Sequence, residues 1–576
     1  MAERAGMRAD MVVVGLGAAG GVLASELAQA GLRVIALDKG PRYSDEDVEL
    51  KHDELRYFVR QEISPHMGDD PITWRPHADA TAQVLPWSTG PLALGPLFVP
   101  PSIGVGGGTI HWAAWAWRFR EAELRLRSTL VERLGEAAVS DTAIVDWPIG
   151  YDDLEPYYDR AEYEIGVSGK AGNLNGEIHE GGNPFEPPRT REYPMPPLRM
   201  TAADQPFCDA ARRLGLHPFP APAAINSVEY QGRSACVYCG FCRDYPCHVA
   251  AKSSSAVTLI PRALETGNLE IRPYSRVVRV NRDATGRATG VRYLDLVQQR
   301  ELEIDAEHVV LAAYALENTR LLLASGIDGN GVVGKYFMTH NYGWFTGTLP
   351  EWTNPFAGPA VATSVIDDYT SELVCGQDGA IWGSPIIGFG GDVQPVEATR
   401  NMPDSAPKFG PGFKNWMREN YRRTFSMYHQ TATFPRERFF CDLDPTVKDP
   451  FGQPALRITH DWTDRDERDV EFMQGKKRAL AAEMNMREYW EAPTAPPYHL
   501  STHEVGTHRM GDDPSTSVVD RYGQCHTVPN LYVLGGGQFP TYGGYNPTLT
   551  IYALAYMAAD HLRSEVGAKV ATGARG

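Results

Sequence analysis

An α/β fold is predicted, and three observations predict it: an apolar strand running into a glycine-rich turn, an apolar helix directly after it, and a second apolar strand ending on an acid. All three lie between Met11 and Gly40. Met11 to Val14 is a short apolar run of the kind a strand buried on both faces needs. It leads into Gly15-Leu16-Gly17-Ala18-Ala19-Gly20, a GxGxxG turn between strand and helix. The first glycine permits the tight turn, the second lets the backbone approach a pyrophosphate, and the third allows the helix close to the strand. The helix through Leu23, Leu27 and Ala30 points its N-terminal amides and positive dipole end at the phosphates. Gly31 stops it, and Leu32 to Leu37 forms the second strand, ending at Asp38. An acid there accepts hydrogen bonds from a ribose 2′-hydroxyl and repels a 2′-phosphate. The unit is Rossmann-like and holds a dinucleotide; FAD and NAD both satisfy it.

The 576 residues allow three to four domains at about 150 residues each. A net charge of -17 argues against nucleic acid or an anionic membrane surface as partner. No apolar stretch approaches the roughly 20 residues of a membrane span. The start, MAERAGMRAD, has no apolar h-region and no twin arginine, so a cytoplasmic location is the default expectation. Co-export with a signal-bearing partner would instead place the protein in the periplasm or otherwise outside the cytoplasm.

After the first unit, residues 41–100 are polar, proline-bearing and weakly periodic, and read as a loop-rich excursion. A second glycine run, Gly104 to Gly108, precedes Thr109-Ile110-His111-Trp112, and Trp112, Trp115 and Trp117 alternate with small residues. That pattern suits a wall around a flat group, and equally core packing. Asp152 or Asp153 is placed to cap a helix running to about Ile165. Residues 168–200, rich in Gly, Pro and Asn, read as an extended linker. Short strands follow from Leu269 to Leu311, with a turn around Asp283 to Gly286, then a helix from Ala312 to Leu323. Residues 340–495 read as a second domain that includes a helix from a Thr463 cap to Met484. A strand at Leu531 to Leu534, a glycine turn at Gly535 to Gly537 and a helix from about Pro547 to Glu565 close the chain.

Of eight cysteines, four fall within twelve residues: Cys236, Cys239, Cys242 and Cys247, spaced C-x2-C-x2-C-x4-C. So compact a run of thiols can wrap one iron-sulfur cluster from a single loop. Structural zinc more often takes two pairs set apart by a longer stretch, and disulfides require export. All three remain open on spacing alone.

With Gly15 to Gly20, Val105 to Phe119, Asp146 to Tyr158, Tyr193 to Leu198, the clustered cysteines, Gly334 to His340 and His503 to Asn546 in view, the chain resembles the glucose-methanol-choline (GMC) family of FAD oxidoreductases. Within it the likeness is to the catalytic subunits of bacterial FAD-dependent sugar dehydrogenases and gluconate 2-dehydrogenases. The resemblance implies a Rossmann-like FAD-binding domain assembled from distant segments plus an α+β substrate-binding domain. On that pattern residues 1–165, 251–339 and 496–576 build the FAD domain, 166–250 is a linker with the cysteine cluster, and 340–495 binds substrate.

Oxidising an alcohol requires a base for the hydroxyl proton and an acceptor for the hydride, and histidine suits the base. His503, in His503-Glu504-Val505-Gly506-Thr507, matches the family's active-site histidine, and Asn546, before Pro547, matches its partner. The family mechanism implies that His503 takes the proton while hydride passes to flavin N5. His508 is not selected by the resemblance and reads as a solvent-facing or supporting residue. The cofactor contacts it implies are Gly15, Gly17, Gly20, Asp38, Gly106, Gly107, Thr109, His111, Val277, Gly536 and Gly537. His111 stands where some members bond the flavin 8-methyl group covalently and where others only pack against it. The resemblance also implies a three-iron cluster on the cysteine loop, although the relatives carry adjacent cysteines early in the motif and Cys236 and Cys239 are separated. Four cysteines leave a four-iron cluster equally open. A cluster beside FAD passes electrons singly to a small subunit or cytochrome, which favours a dehydrogenase over an oxidase that makes hydrogen peroxide. A reading of another class is a non-catalytic flavoprotein subunit with a zinc-binding loop. The family's Ala-Gly-Ala before a helix is here Ala313-Tyr314-Ala315.

Overall fold

The computed structural model describes all residues except 1–2, 45–46, 48–52, 60–68, 86–102, 371–372, 496–500 and 572–576. The apolar runs at Met11, Val34 and Val309 form the middle of a seven-stranded sheet. Its strands lie in the order Leu269–Arg272, Val34–Leu37, Glu3–Val14, Arg300–Leu311, Ala288–Asp295 and Ser275–Arg282. Leu531–Val533 pairs with the second half of Arg300–Leu311, in parallel. The four central parallel pairings explain the unbroken apolar runs: Met11, Val12, Val13, Val34 to Leu37 and Val309 to Leu311 are all fully buried. Helices Ala18–Gln29, Tyr151–Ile165, Ser255–Glu265 and Thr548–Ala571 pack against one another beside it.

A second, wholly antiparallel sheet runs Glu488–Glu491, His340–Thr348, Thr424–Ala432, Ile386–Phe389, Ser364–Ile366 and Pro218–Pro220. Helix Asp464–Glu483 packs on its strands His340–Thr348 and Thr424–Ala432. Thr463 caps that helix, with the Asp466 carboxylate accepting from the Thr463 amide at 2.9 Å. A third sheet joins Phe440–Lys448 and Pro454–Thr459 to Ile72–Arg75 and Gln83–Val84.

Several expectations need amending. The first strand begins at Glu3, because residues 3–10 pair through their backbone with Leu302 to His308 without needing an apolar pattern. The helix at 151 is capped by Gly150, and Asp153 serves from inside the first turn, accepting from the Gly150 amide at 2.9 Å. Residues 168–200 are no free linker: they carry a small hairpin, Asn173–Leu174 with Glu177–Ile178, and are pinned by Arg189. That guanidinium is buried against Glu162, which also accepts from Arg118 at 2.8 and 2.9 Å. A carboxylate held by two guanidiniums stays ionised despite burial, and the Glu162 carboxyl lies below its ordinary value. Among the described residues no helix is long and apolar enough to cross a membrane.

Candidate active site

The dinucleotide turn forms as its glycines require. Gly15 has φ +88°, and a Cβ on Gly20 would stand 1.9 Å from the Gly15 carbonyl oxygen, so helix and strand touch there. Gly17 differs, since a Cβ on it would meet only Gly107, at 3.9 Å. Asp38 follows the second strand, and its carboxylate accepts from the amides of Leu16 (3.3 Å) and Gly40 (3.0 Å). Burial still leaves its pKa raised.

The second glycine run lies on the first. The Gly106 amide donates to the Leu16 carbonyl at 3.2 Å, and a Cβ on Gly107, at φ +53°, would stand 2.8 Å from the Gly17 Cα. Thr109 Oγ1 accepts from the Ser255 amide at 3.1 Å, and Ser255 Oγ donates to the Gly17 carbonyl at 2.9 Å. Val277 is buried in a strand whose first residue, Ser275, donates its amide to the Asp38 carbonyl at 2.8 Å. Gly15, Gly17, Gly20, Asp38, Gly106, Gly107 and Thr109 thus lie together at the C-terminal ends of the first two strands, with the strand that carries Val277 joined to Asp38 through Ser275. Open space faces Gly17 and the buried Gly535, which suits a cradle for a bound dinucleotide.

From Gly535 the chain passes through the 3-10 turn Gly536–Gln538, against which the His503 segment lies. The amides of Gly506, His508 and Met510 donate to the carbonyls of Gly536, Gly537 and Gln538 at 3.3, 2.9 and 2.7 Å. His508 is fully buried beneath Gly537, where a Cβ would meet its ring, so it does not face solvent. His503 and Asn546 are brought together: Asn546 Nδ2 lies 3.4 Å from His503 Nε2. Asn546 Oδ1 accepts from Trp117 Nε1 at 2.8 Å and from Gln430 Nε2 at 3.1 Å. On the other side His503 Nδ1 is 2.9 Å from His340 Nδ1 and 3.2 Å from the Tyr342 hydroxyl. Burial lowers the conjugate acid of His503 to about 3, so the ring is neutral at ordinary pH. The sequence reading did not single out Gln430, His340 or Tyr342 as site residues; only the position of His340 just after a shared glycine motif pointed that way.

Trp117 begins an aromatic row. Its ring stacks on Trp115 at 5.9 Å, Trp115 meets Tyr428 edge-on at 6.1 Å, and Tyr428 stacks on Trp344 at 4.9 Å. Trp112 is not part of it; its Nε1 donates to the Ser253 carbonyl. A shallow cleft lies beside Trp117 and Tyr545 and is also lined by Arg120, Lys170 and Asn183.

The cysteine loop is fastened to the His111 segment. The Asp244 amide donates to the His111 carbonyl at 2.8 Å, and the buried Lys252 ammonium donates to the carbonyls of Trp112 (2.9 Å) and Tyr245 (2.8 Å). Burial lowers His111 to about 4, with Asp244 pulling the other way. Cys236 accepts from the Tyr238 amide at 3.4 Å and Cys247 from the Lys252 amide at 3.5 Å. Burial raises the thiol of Cys236 to about 11 and those of Cys239 and Cys242 as well, and neighbouring cysteines add to each shift. Among the described residues no three His, Cys, Asp or Glu side chains stand close enough to hold a single metal ion, so the loop does not present the tight set zinc requires. The four thiols are of the donor type an iron-sulfur cluster takes, and among the described residues they form no metal-holding group.

Comparison with known proteins agrees with this geometry. Models described as GMC oxidoreductase match residues 198–342 and 435–555. The gluconate 2-dehydrogenase flavoprotein of Pantoea cypripedii is 34% identical over 97% of this chain and 94% of its own. The fructose dehydrogenase large subunit of Gluconobacter japonicus is 28% identical over 97% of this chain and 98% of its own. In fold, the chain is similar to the crystal structure of pyridoxine 4-oxidase from Mesorbium loti, with a TM-score of 0.59 at 17% identity over 96% of this chain and 99% of that one.

Proposed function

The chain belongs to the GMC oxidoreductase family, as an FAD-dependent oxidoreductase of CH–OH groups, and from that premise we propose that it is a dehydrogenase for a hydroxyl of a sugar, sugar acid or glycoside. The observation that carries the reading is the pair at the end of the aromatic row: a neutral His503 whose Nε2 faces the Asn546 amide at 3.4 Å. His503 takes the hydroxyl proton at Nε2. Asn546 has its Oδ1 occupied by Trp117 and Gln430, so its Nδ2 is the atom left to donate to the substrate oxygen and hold the reacting carbon in place. The polar side chains of the cleft beside Trp117 and Tyr545 suit the hydroxyls of a sugar.

Gly15, Gly17, Gly20, Asp38, Gly106, Gly107, Thr109, His111, Val277, Gly536 and Gly537 would hold FAD, and Cys236, Cys239, Cys242 and Cys247 an iron-sulfur cluster. When bound, FAD supplies the hydride acceptor and the cluster a one-electron exit. The bonds from Asp244 and Lys252 to the His111–Trp112 backbone support such an exit, because they put the cysteine loop against the flavin segment. A relative named as a large subunit supports a partner subunit as recipient, and we propose a cytochrome as the alternative.

The test is an anaerobic spectrum with iron and sulfide analysis on protein purified without air, followed by titration with sugars and sugar acids. Stoichiometric iron and sulfide, with flavin bleaching on sugar addition, is the expected outcome. Bleaching that recovers rapidly in air, without iron, would make the protein an oxidase. His503→Ala should keep FAD and lose bleaching; a variant reduced at the normal rate would overturn the assigned base.

A further inference from the structure

We infer that His340 is a positioning residue that fixes His503 in the tautomer whose bare Nε2 faces Asn546 and the substrate. This rests on the reading of His503 as the base. The inference follows from two groups of unambiguous character at the ends of one hydrogen-bonded chain. At one end the Gly543 carbonyl oxygen lies 2.9 Å from His340 Nε2, and a carbonyl can only accept, so that nitrogen carries the hydrogen. A neutral imidazole carries one hydrogen, so His340 Nδ1 is bare and accepts. Its neighbour at 2.9 Å, His503 Nδ1, must then donate, which leaves His503 Nε2 bare.

At the other end the Trp117 indole N–H can only donate, and it meets Asn546 Oδ1 at 2.8 Å. That assigns the amide: Oδ1 is the acceptor and Nδ2 turns toward His503 Nε2, where a bare nitrogen is what an N–H requires. Both ends give the same protonation pattern. Both rings are neutral because burial holds their conjugate acids below the ordinary histidine range.

Tyr342 makes this necessary. Its hydroxyl, 3.2 Å from His503 Nδ1, can donate as well as accept, and donation there would put the hydrogen on Nε2 and remove the base. An accepting His340 excludes that arrangement. His340 is itself fixed: it is fully buried, its ring stacks on Tyr542 at 4.2 Å, and its amide and that of His503 share Ser501 Oγ at 3.3 and 2.9 Å. Once His503 has gained the substrate proton, its Nδ1–H bond to His340 becomes charge-assisted and strengthens. The titratable groups facing His503 are His340 and Tyr342 from the strand and Tyr542, with Glu504 next in the chain.

Two substitutions of similar polarity separate this role from a structural one. His340→Asn places an amide oxygen near where Nδ1 stands, so His503 Nδ1 keeps an acceptor. His340→Gln reaches toward Gly543 but offers no acceptor at the Nδ1 position. Stopped-flow flavin reduction under anaerobic conditions should be slowed on the order of 100-fold in His340→Gln, with substrate affinity unchanged. His340→Asn should recover to within about tenfold of the parent enzyme. Equal rates in the two variants, or a loss confined to substrate affinity, would overturn the inference. His503→Ala, measured alongside, keeps the two readings apart. Parent-like reduction in it refutes the base itself, whereas an inactive His503→Ala beside a fast His340→Gln refutes only the role of His340.

Discussion

Glu504 follows the base in the chain and is 2% exposed, yet among the described residues neither carboxyl oxygen meets a hydrogen-bond partner. Burial pushes its pKa well above the ordinary 4.5, so the folded protein carries it as a neutral acid. The unfolded chain ionises it above pH 4.5, so the folded state holds the extra proton and loses stability as pH rises from there to the folded pKa. Glu504→Gln removes that dependence. Relative to its standing at pH 4, the variant should gain on the parent as pH rises above 4.5, by at most about 1.4 kcal/mol per pH unit and only up to the folded pKa, in urea midpoints taken across the range. Parallel stability curves would mean the carboxylate is ionised in the folded protein. At this scale residue types in short motifs were informative about local form: the turn at Gly15 to Gly20 is made, and Asn546 comes to His503. Residues whose role is a distance were not. His340 gains its place only when residues 163 positions apart meet, and Gln430 reaches Asn546 across 116. Tyr314 is a further case. It adopts φ +79°, a conformation that favours glycine, at the position where the family pattern has glycine.

Among the elements, the turn from strand to first helix shows what each glycine does. A Cβ at Gly20 would stand 1.9 Å from a carbonyl oxygen, whereas at Gly17 the nearest atom is 3.9 Å away. Gly20→Ala should therefore cost about 1 to 3 kcal/mol of stability by forcing helix and strand apart. Gly17→Ala should fold normally and lose flavin, because its methyl group takes space a pyrophosphate needs. Denaturation midpoints and flavin content after gel filtration separate the two; flavin retention in Gly17→Ala would show that the pyrophosphate does not approach there. The strand, helix and acid of this unit, and the Thr463 cap, were legible because each depends on residues within a few positions. The parallel pairing of Ile72–Arg75 with Pro454–Thr459 was not, since backbone pairing between remote segments leaves no period in either one, and the hairpin at 173–178 was not because its strands, two residues each, are too short to show an alternation.

Across the whole molecule, the cradle proposed for the dinucleotide draws on the first strand turn, the segment 104–111, the strand at 275 and the turn at 536. A ligand bridging them stabilises the native state by its binding free energy, about 4 kcal/mol at a thousandfold excess over Kd. Flavin-stripped protein should melt several degrees below the reconstituted enzyme, and coincident melting curves would mean these segments hold together without it. The two-domain plan was legible in outline through family resemblance. Which strands neighbour which was not, because Leu531–Val533 joins a sheet begun at residue 3.

That late arrival has a consequence for synthesis on the ribosome. Val12 finds Ile35 almost at once on one side, but its partner on the other, Val309, emerges only after nearly 300 more residues. At 5–20 residues per second the open edge waits roughly 15 to 60 s. The base and its amide partner follow later still, so a nascent chain halted before residue 531 has neither a complete sheet nor both members of the reacting pair. Such truncated chains are inactive and carry an unpaired strand edge that invites association with their neighbours.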